Sequence, residues 1–127
     1  MPGKSVAQKL LIEEGYQVLL IDAPKCYLSA LRAECPQATI SAKKTGEVDL
    51  IQLFVSSDAE LRKILPTLTD RLRPKGLLWV TYPKGTSGIA ADLNRDTIRK
   101  YAGTVGLQVV SVIAVDEVWS ALRLKVV

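Results

Sequence analysis

The chain has 127 residues, 48% apolar and 24% charged, with 17 basic and 13 acidic side chains and a formal net charge of +4. That is the length and profile of one soluble globular domain, 1–127, able to bury a core without disulfides or metals, and the lack of histidine excludes histidine-based triads, imidazole bases and the commonest zinc ligand. The basic residues are interleaved with acids along the whole chain, with the densest groups at Lys43-Lys44 and Arg71-Arg73-Lys75, so nucleic acid is a disfavoured partner.

The first twelve residues make a poor signal peptide, because Gln8 and Lys9 interrupt the apolar run and Glu13-Glu14 follow it. No stretch approaches the roughly 18 unbroken apolar residues of a membrane helix. A cytoplasmic protein without a membrane partner is therefore expected. Residues 17–21 read as a short buried strand that ends at Asp22-Ala23-Pro24, and residues 26–34 as a short helix stopped by Pro36. On such a helix Cys26 and Cys35 lie on opposite faces and roughly 13 Å apart along the axis, so two reduced structural thiols are expected. Residues 38–42 form a brief second strand, 43–46 a polar turn, and 49–55 the strongest apolar strand.

Ser57 and Glu60 have capping-box spacing ahead of a helix whose stripe is Leu61, Ile64, Leu65, Leu68 and Leu72, with Pro66 inside it as a kink or a delayed start. Arg73-Pro74-Lys75-Gly76 is a turn, and residues 77–82 are a fourth apolar strand. Asn94 caps a third helix with Asp96 in its first turn and Ile98, Tyr101, Ala102 and Val105 facing inward. Gly103 and Gly106 provide its exit. Residues 107–115 and 118–126 are two strands joined by a tight turn at Asp116-Glu117, hence antiparallel.

Apolar strands alternating with helices predict an α/β, three-layer sandwich: a mostly parallel sheet covered on both faces, closed by a C-terminal antiparallel hairpin. The arrangement resembles the Rossmann-like, class I methyltransferase fold. That is a resemblance of fold and implies no activity.

Open sheets of this kind hold ligands beyond the C-terminal ends of their strands. The residues expected there are Asp22, Ala23 and Pro24 after the first strand, Ser56 and Ser57 after the third, and Tyr82, Pro83, Lys84, Thr86 and Ser87 after the fourth. Asp116, Glu117 and Trp119 flank them. Lys84-Gly85-Thr86-Ser87-Gly88 offers positive charge and backbone N–H groups to an anion, but its lysine precedes the glycines, so it is not a P-loop. Paired acids at a hairpin are ordinarily a solvated turn, and Trp119 shares its strand face with Ala121, Arg123 and Lys125, where packing is the simplest role. A methyltransferase or dinucleotide enzyme needs glycines after the first strand and an acid after the second. Here the turn is Asp22-Ala23-Pro24-Lys25, and the nearest acid is Glu47, beyond a basic loop. The usual motif for S-adenosylmethionine is absent, so the cofactor is left open, with S-adenosylmethionine kept as a candidate for the group-transfer alternative below.

The chain also resembles the small prokaryotic family called "domain of unknown function 3052". The residues that carry the resemblance are Glu14-Gly15-Tyr16-Gln17-Val18-Leu19-Leu20 with Ala23-Pro24 and Tyr27; Leu53-Phe54-Val55; Leu72-Arg73-Pro74-Lys75-Gly76 with Trp79, Pro83 and Lys84; Ser87-Gly88 with Asp92-Leu93; and Asp116-Glu117 with Trp119-Ser120 and Leu122. Tyr82 stands where the family pattern has tryptophan. The family has no established activity, so the resemblance implies the fold and the residue set only.

These observations favour a non-catalytic, methyltransferase-like domain that binds a small molecule or a protein partner in the crevice. Lys84 would hold an anionic group there, and Trp119 or Tyr82 would give apolar contact. The alternatives are a small group-transfer enzyme using Asp22, Lys84 or Glu117 as acid/base groups, and a structural protein forming a homodimer through its C-terminal hairpin.

Overall fold

The computed structural model describes residues 6–24, 27–41, 47–83, 93–115 and 118–126. Six strands, β1 (Gln17–Ile21), β2 (Thr39–Ser41), β3 (Val48–Phe54), β4 (Leu72–Pro83), β5 (Leu107–Ala114) and β6 (Trp119–Val126), form one sheet in the order β2-β1-β3-β4-β6-β5. The four strands from β2 to β4 are parallel, and β6 pairs antiparallel with both β4 and β5. Four helices, α1 (Val6–Lys9), α2 (Tyr27–Glu34), α3 (Asp58–Ile64) and α4 (Arg95–Thr104), complete the described elements. The expected α/β sandwich, mostly parallel with an antiparallel C-terminal hairpin, is the observed one. None of these helices is long and apolar enough to cross a membrane.

Strand alternation divides the core in two. Leu19, Ile51, Leu53, Leu78, Val80 and Leu122 turn to the α3/α4 side. Val18, Leu20, Leu50, Trp79 and Ala121 turn to the α1/α2 side. Each fully buried Leu or Val contributes about 1.5–3 kcal/mol, so burial on both faces of β3 and β4 is the main favourable term. Leu10, also fully buried, brings the N-terminal segment onto β4, where the Trp79 Nε1–H donates to its carbonyl at 3.0 Å.

The helix starts follow their sequence signals. The Ser57 hydroxyl accepts from the Glu60 N–H at 3.2 Å, and the Asn94 Oδ1 accepts from the Thr97 N–H at 2.9 Å. Two elements differ from expectation. Pro66 neither kinks nor delays α3 but ends it: a 3-10 turn takes over at Leu65–Thr67, and a second follows at Thr69–Arg71. Proline has no N–H for the α ladder, yet it fits the opening positions of a new turn. The second difference is the segment 72–76, which belongs to β4. Leu72 pairs with Val48 and Leu77 with Leu50, so five residues of β4 advance while β3 advances two, and the excess bulges out.

Gly76 lies in that bulge because there is no room for a side chain. A Cβ would meet Leu72 Cγ at 2.7 Å and the Arg73 carbonyl oxygen at 2.8 Å. The Arg73 guanidinium holds the bulge to β3 by pairing with both Asp49 oxygens at 3.1 Å. Gly76→Ala is expected to destabilise the fold by about 1–3 kcal/mol in urea unfolding. Gly103→Ala, in α4 with nothing within 4 Å of the new methyl, is expected to stabilise it by about 0.5–1 kcal/mol. Equal effects of the two substitutions would contradict this account of the bulge.

Candidate functional site

The chain leaves β1 into α2 on one face of the sheet and leaves β3 into α3 on the other, so the strand order reverses between β1 and β3. In open α/β sheets such a reversal marks the ligand crevice, beyond the C-terminal ends of the parallel strands. The turn after β1 borders that position. Asp22 has φ +58° there, the left-handed region that glycine enters at no cost and aspartate tolerates better than most residues. Asp22 is exposed, while Ala23 and Pro24 are half-buried. The Pro24 carbonyl accepts the Tyr27 N–H at 3.1 Å and so starts α2.

Beneath the crevice, on the α1/α2 side, three aromatic rings form an edge-to-face series. The rings of Tyr27, which opens α2, and Phe54, the last residue of β3, are 4.8 Å apart at 73°. Phe54 in turn meets Trp119, the first residue of β6, at 5.2 Å and 82°. Both are favourable quadrupole arrangements. Below the rings, the Tyr27 hydroxyl donates to Gln52 Oε1 at 2.8 Å, and Gln52 Nε2 donates to Thr81 Oγ1 at 3.1 Å. Gln52 and Thr81 have no solvent exposure. Buried polar groups of this kind are tolerated because they satisfy one another. The floor is therefore aromatic and neutral, and it ties α2, β3 and β4 together.

The remaining expected residues are placed as follows. Ser56 and Ser57 lie at the end of β3, but both hydroxyls donate to Glu60 Oε1, at 3.3 and 3.2 Å, and so serve the start of α3. Pro83 is buried opposite Trp119 in the β4/β6 register. Tyr82 faces the α3/α4 core, on the other side of β4 from the aromatic series. Burial pushes its phenol above the ordinary value near 10, with Arg95 partly offsetting the shift. Lys84, Thr86, Ser87, Asp116 and Glu117 lie outside the described residues, as does Cys26. Cys35 is half-buried and donates its thiol to the Leu31 carbonyl at 3.1 Å; burial, then Glu34, holds its pKa above the usual value.

Sequence reasoning did not assign Gln52 or Thr81 to this site, and named Tyr27 and Phe54 only through a family resemblance. Gln52 did carry a signal: a lone amide inside the strongest apolar strand needs a buried partner. Glu47 is at the opposite end of the sheet, where it lines a cleft of about 390 Å³ with Thr69, Leu72, Arg73, Gly76 and Lys125. It therefore does not stand where an acid after β2 would meet a ribose. Among the described residues no group of three or more Cys, Asp or Glu side chains converges to hold a metal ion.

No family model matches the chain, and no curated protein matches it. Solved structures do. The mitomycin 7-O-methyltransferase MmcR superposes with a TM-score of 0.69 at 10% identity, over 96% of this chain and 53% of that one. The fold is that of a class I methyltransferase. An O-methyltransferase family 2 protein from Planctomyces limnophilus, solved with apigenin, gives 0.68 at 12% identity over 100% of this chain and 54% of the other. The O-methyltransferase NcsB1 from neocarzinostatin biosynthesis, solved with S-adenosylmethionine and a naphthoic acid, gives 0.69 at 12% over 87% and 49%. The chain spans about half the length of these three proteins, and at such identities the likeness is one of fold.

Two outcomes follow from the site's chemistry. Tyr27→Phe leaves Gln52 Oε1 buried without its donor and should cost about 1–3 kcal/mol in urea unfolding; an unchanged midpoint would contradict the buried relay. Because the folded-state pKa of Tyr82 is raised, its contribution is fully present below the unfolded value of about 10 and is lost as pH rises through the folded value. Unfolding midpoints should therefore fall above about pH 10, and fall less in Tyr82→Phe. Parallel pH curves for the two proteins would contradict this.

Proposed function

We propose that this chain is a non-catalytic, methyltransferase-like domain, cytoplasmic and of the "domain of unknown function 3052" type, that binds a small molecule or a protein partner in the crevice beyond β1, β3 and β4. One observation supports the reading: beside the C-terminal ends of β3 and β4 the rings of Tyr27, Phe54 and Trp119 pack over a neutral, mutually satisfied Gln52–Thr81 pair. Such a surface suits apolar and planar groups, and the described residues that form it carry no charge to move a proton. The turn above it has no glycine to let a cofactor backbone approach, and Pro24 stiffens it.

A second reading is favoured by Asp22. Its left-handed backbone gives the turn after β1 a shape that glycine would otherwise supply, which is compatible with an adenosyl cofactor despite the missing motif. A small group-transfer enzyme, with S-adenosylmethionine as donor, is the function that this feature supports.

Thermal denaturation with S-adenosylmethionine and S-adenosylhomocysteine separates the two. A ligand at about 100 times its dissociation constant stabilises by roughly 2.7 kcal/mol, several degrees for a domain of this size. The first reading expects no shift with either compound. A shift of several degrees that disappears in Asp22→Ala would overturn it in favour of the second.

A further inference from the structure

Among the described residues the sheet ends on β2 and β5, and the two edge strands differ. β2 is three residues long, and the Thr39 N–H donates to Tyr16, so the Ile40 carbonyl between Thr39 and Ser41 points outward. The Arg32 guanidinium covers that carbonyl with two hydrogen bonds, Nε at 3.0 Å and Nη2 at 2.7 Å. At three residues this edge is too short to template a partner strand, and the guanidinium covers its outward carbonyl. β5 at the other side is eight residues, LQVVSVIA, without a charge or a proline. Of the four large apolar side chains exposed among the described residues, three lie on the β5/β6 hairpin: Val110 at 37%, Val112 at 47% and Val126 at 63%.

The hydrogen-bond phase identifies which backbone groups β5 presents. Val115 donates its N–H to the Trp119 carbonyl, so residues 111 and 113 also turn toward β6, and those of Val112 and Ala114 turn outward. A bulge at Val110, where Val109 pairs with Leu124 and Ser111 with Arg123, leaves residues 111–114 in unbroken register with β6. A bulge can blunt an edge, but this one stops short of that run. The Lys9 ammonium donates to the Ala114 carbonyl at 3.0 Å, at the last residue of the strand.

We propose that β5 pairs antiparallel with β5 of a second copy of this chain, about a two-fold axis through Val112. The pairing is self-complementary. Val112 exchanges both backbone hydrogen bonds with its own image; Val110, the bulged residue, falls opposite Ala114, whose outward carbonyl the Lys9 ammonium must release for that pair to bond. No charged β5 side chain crosses the axis, which matters in a chain of net charge +4. The edge is about 27 Å long, and with α4 packed beside it the meeting wall is two layers deep. That gives at most on the order of 500 Å² per copy and about 1,000 Å² in total, below the roughly 1,200 Å² of a stable interface and in the weak, transient class. A weak, concentration-dependent dimer is the expected state. The proposal does not depend on what the crevice binds.

Light scattering of the full chain during size exclusion, from ~10 to ~500 µM, tests it. The mass should rise from 13.9 kDa toward twice that value as concentration increases. Val112→Lys places two like charges across the axis, so it should weaken the dimer about tenfold or more while leaving the unfolding midpoint in place. Val110→Lys serves as the second variant should the first lower the midpoint. A monomer at every concentration would overturn the proposal, and so would a dimer unaffected in a folded variant.

Discussion

Strands β3 and β4 bury both faces at once, and the two fully buried polar side chains among the described residues, Gln52 and Thr81, lie on these strands and bond to each other. The rest of the molecule depends on that arrangement. A strand without a wet face needs cover on both sides, which a parallel sheet with helices above and below supplies. Two polar groups in such a place are admissible only as a pair, because an unpaired amide there would cost as much as a good apolar contact contributes. Once Tyr27 joins the pair from α2, the register of one helix layer against the central strands is set by hydrogen bonds as well as by packing.

The working end of the fold follows from the same constraint. Parallel β1 and β3 send their helices to opposite faces, and the crevice opens where they part. At that position this chain has a proline-bearing turn with Asp22 in the left-handed region, and three packed aromatic rings over a neutral relay. Superposition on methyltransferases at 10 to 12% identity establishes the backbone and leaves the chemistry to the side chains.

What sequence reasoning could read was local. Unbroken apolar runs marked β1, β3 and the core of β4, and Ser57 and Asn94 marked two helix starts through bonds that span three residues. Alternation placed Trp119 on the face of Ala121 and Arg123. What it could not read depends on long-range or conformational facts. The rings of residues 27, 54 and 119 are far apart in the chain and meet only because β6 inserts between β4 and β5. The bulge at 72–76 looks like a Pro/Gly turn until Leu72 is seen to pair with Val48. The helix α1 is four residues long and gives no periodicity. Glu47 is close to β2 in sequence but far from its C-terminal end, because parallel β3 begins at the opposite end of the sheet.

The most direct test of the central claim is an NMR fragment screen on uniformly ¹⁵N-labelled protein, read residue by residue. The account predicts that bound fragments shift the amides of residues 21–23 and 54–57 and the Trp119 indole, at the crevice over the aromatic floor. Shifts that cluster instead around Arg73, Gly76 and Lys125, in the cleft at the opposite end of the sheet, would contradict it.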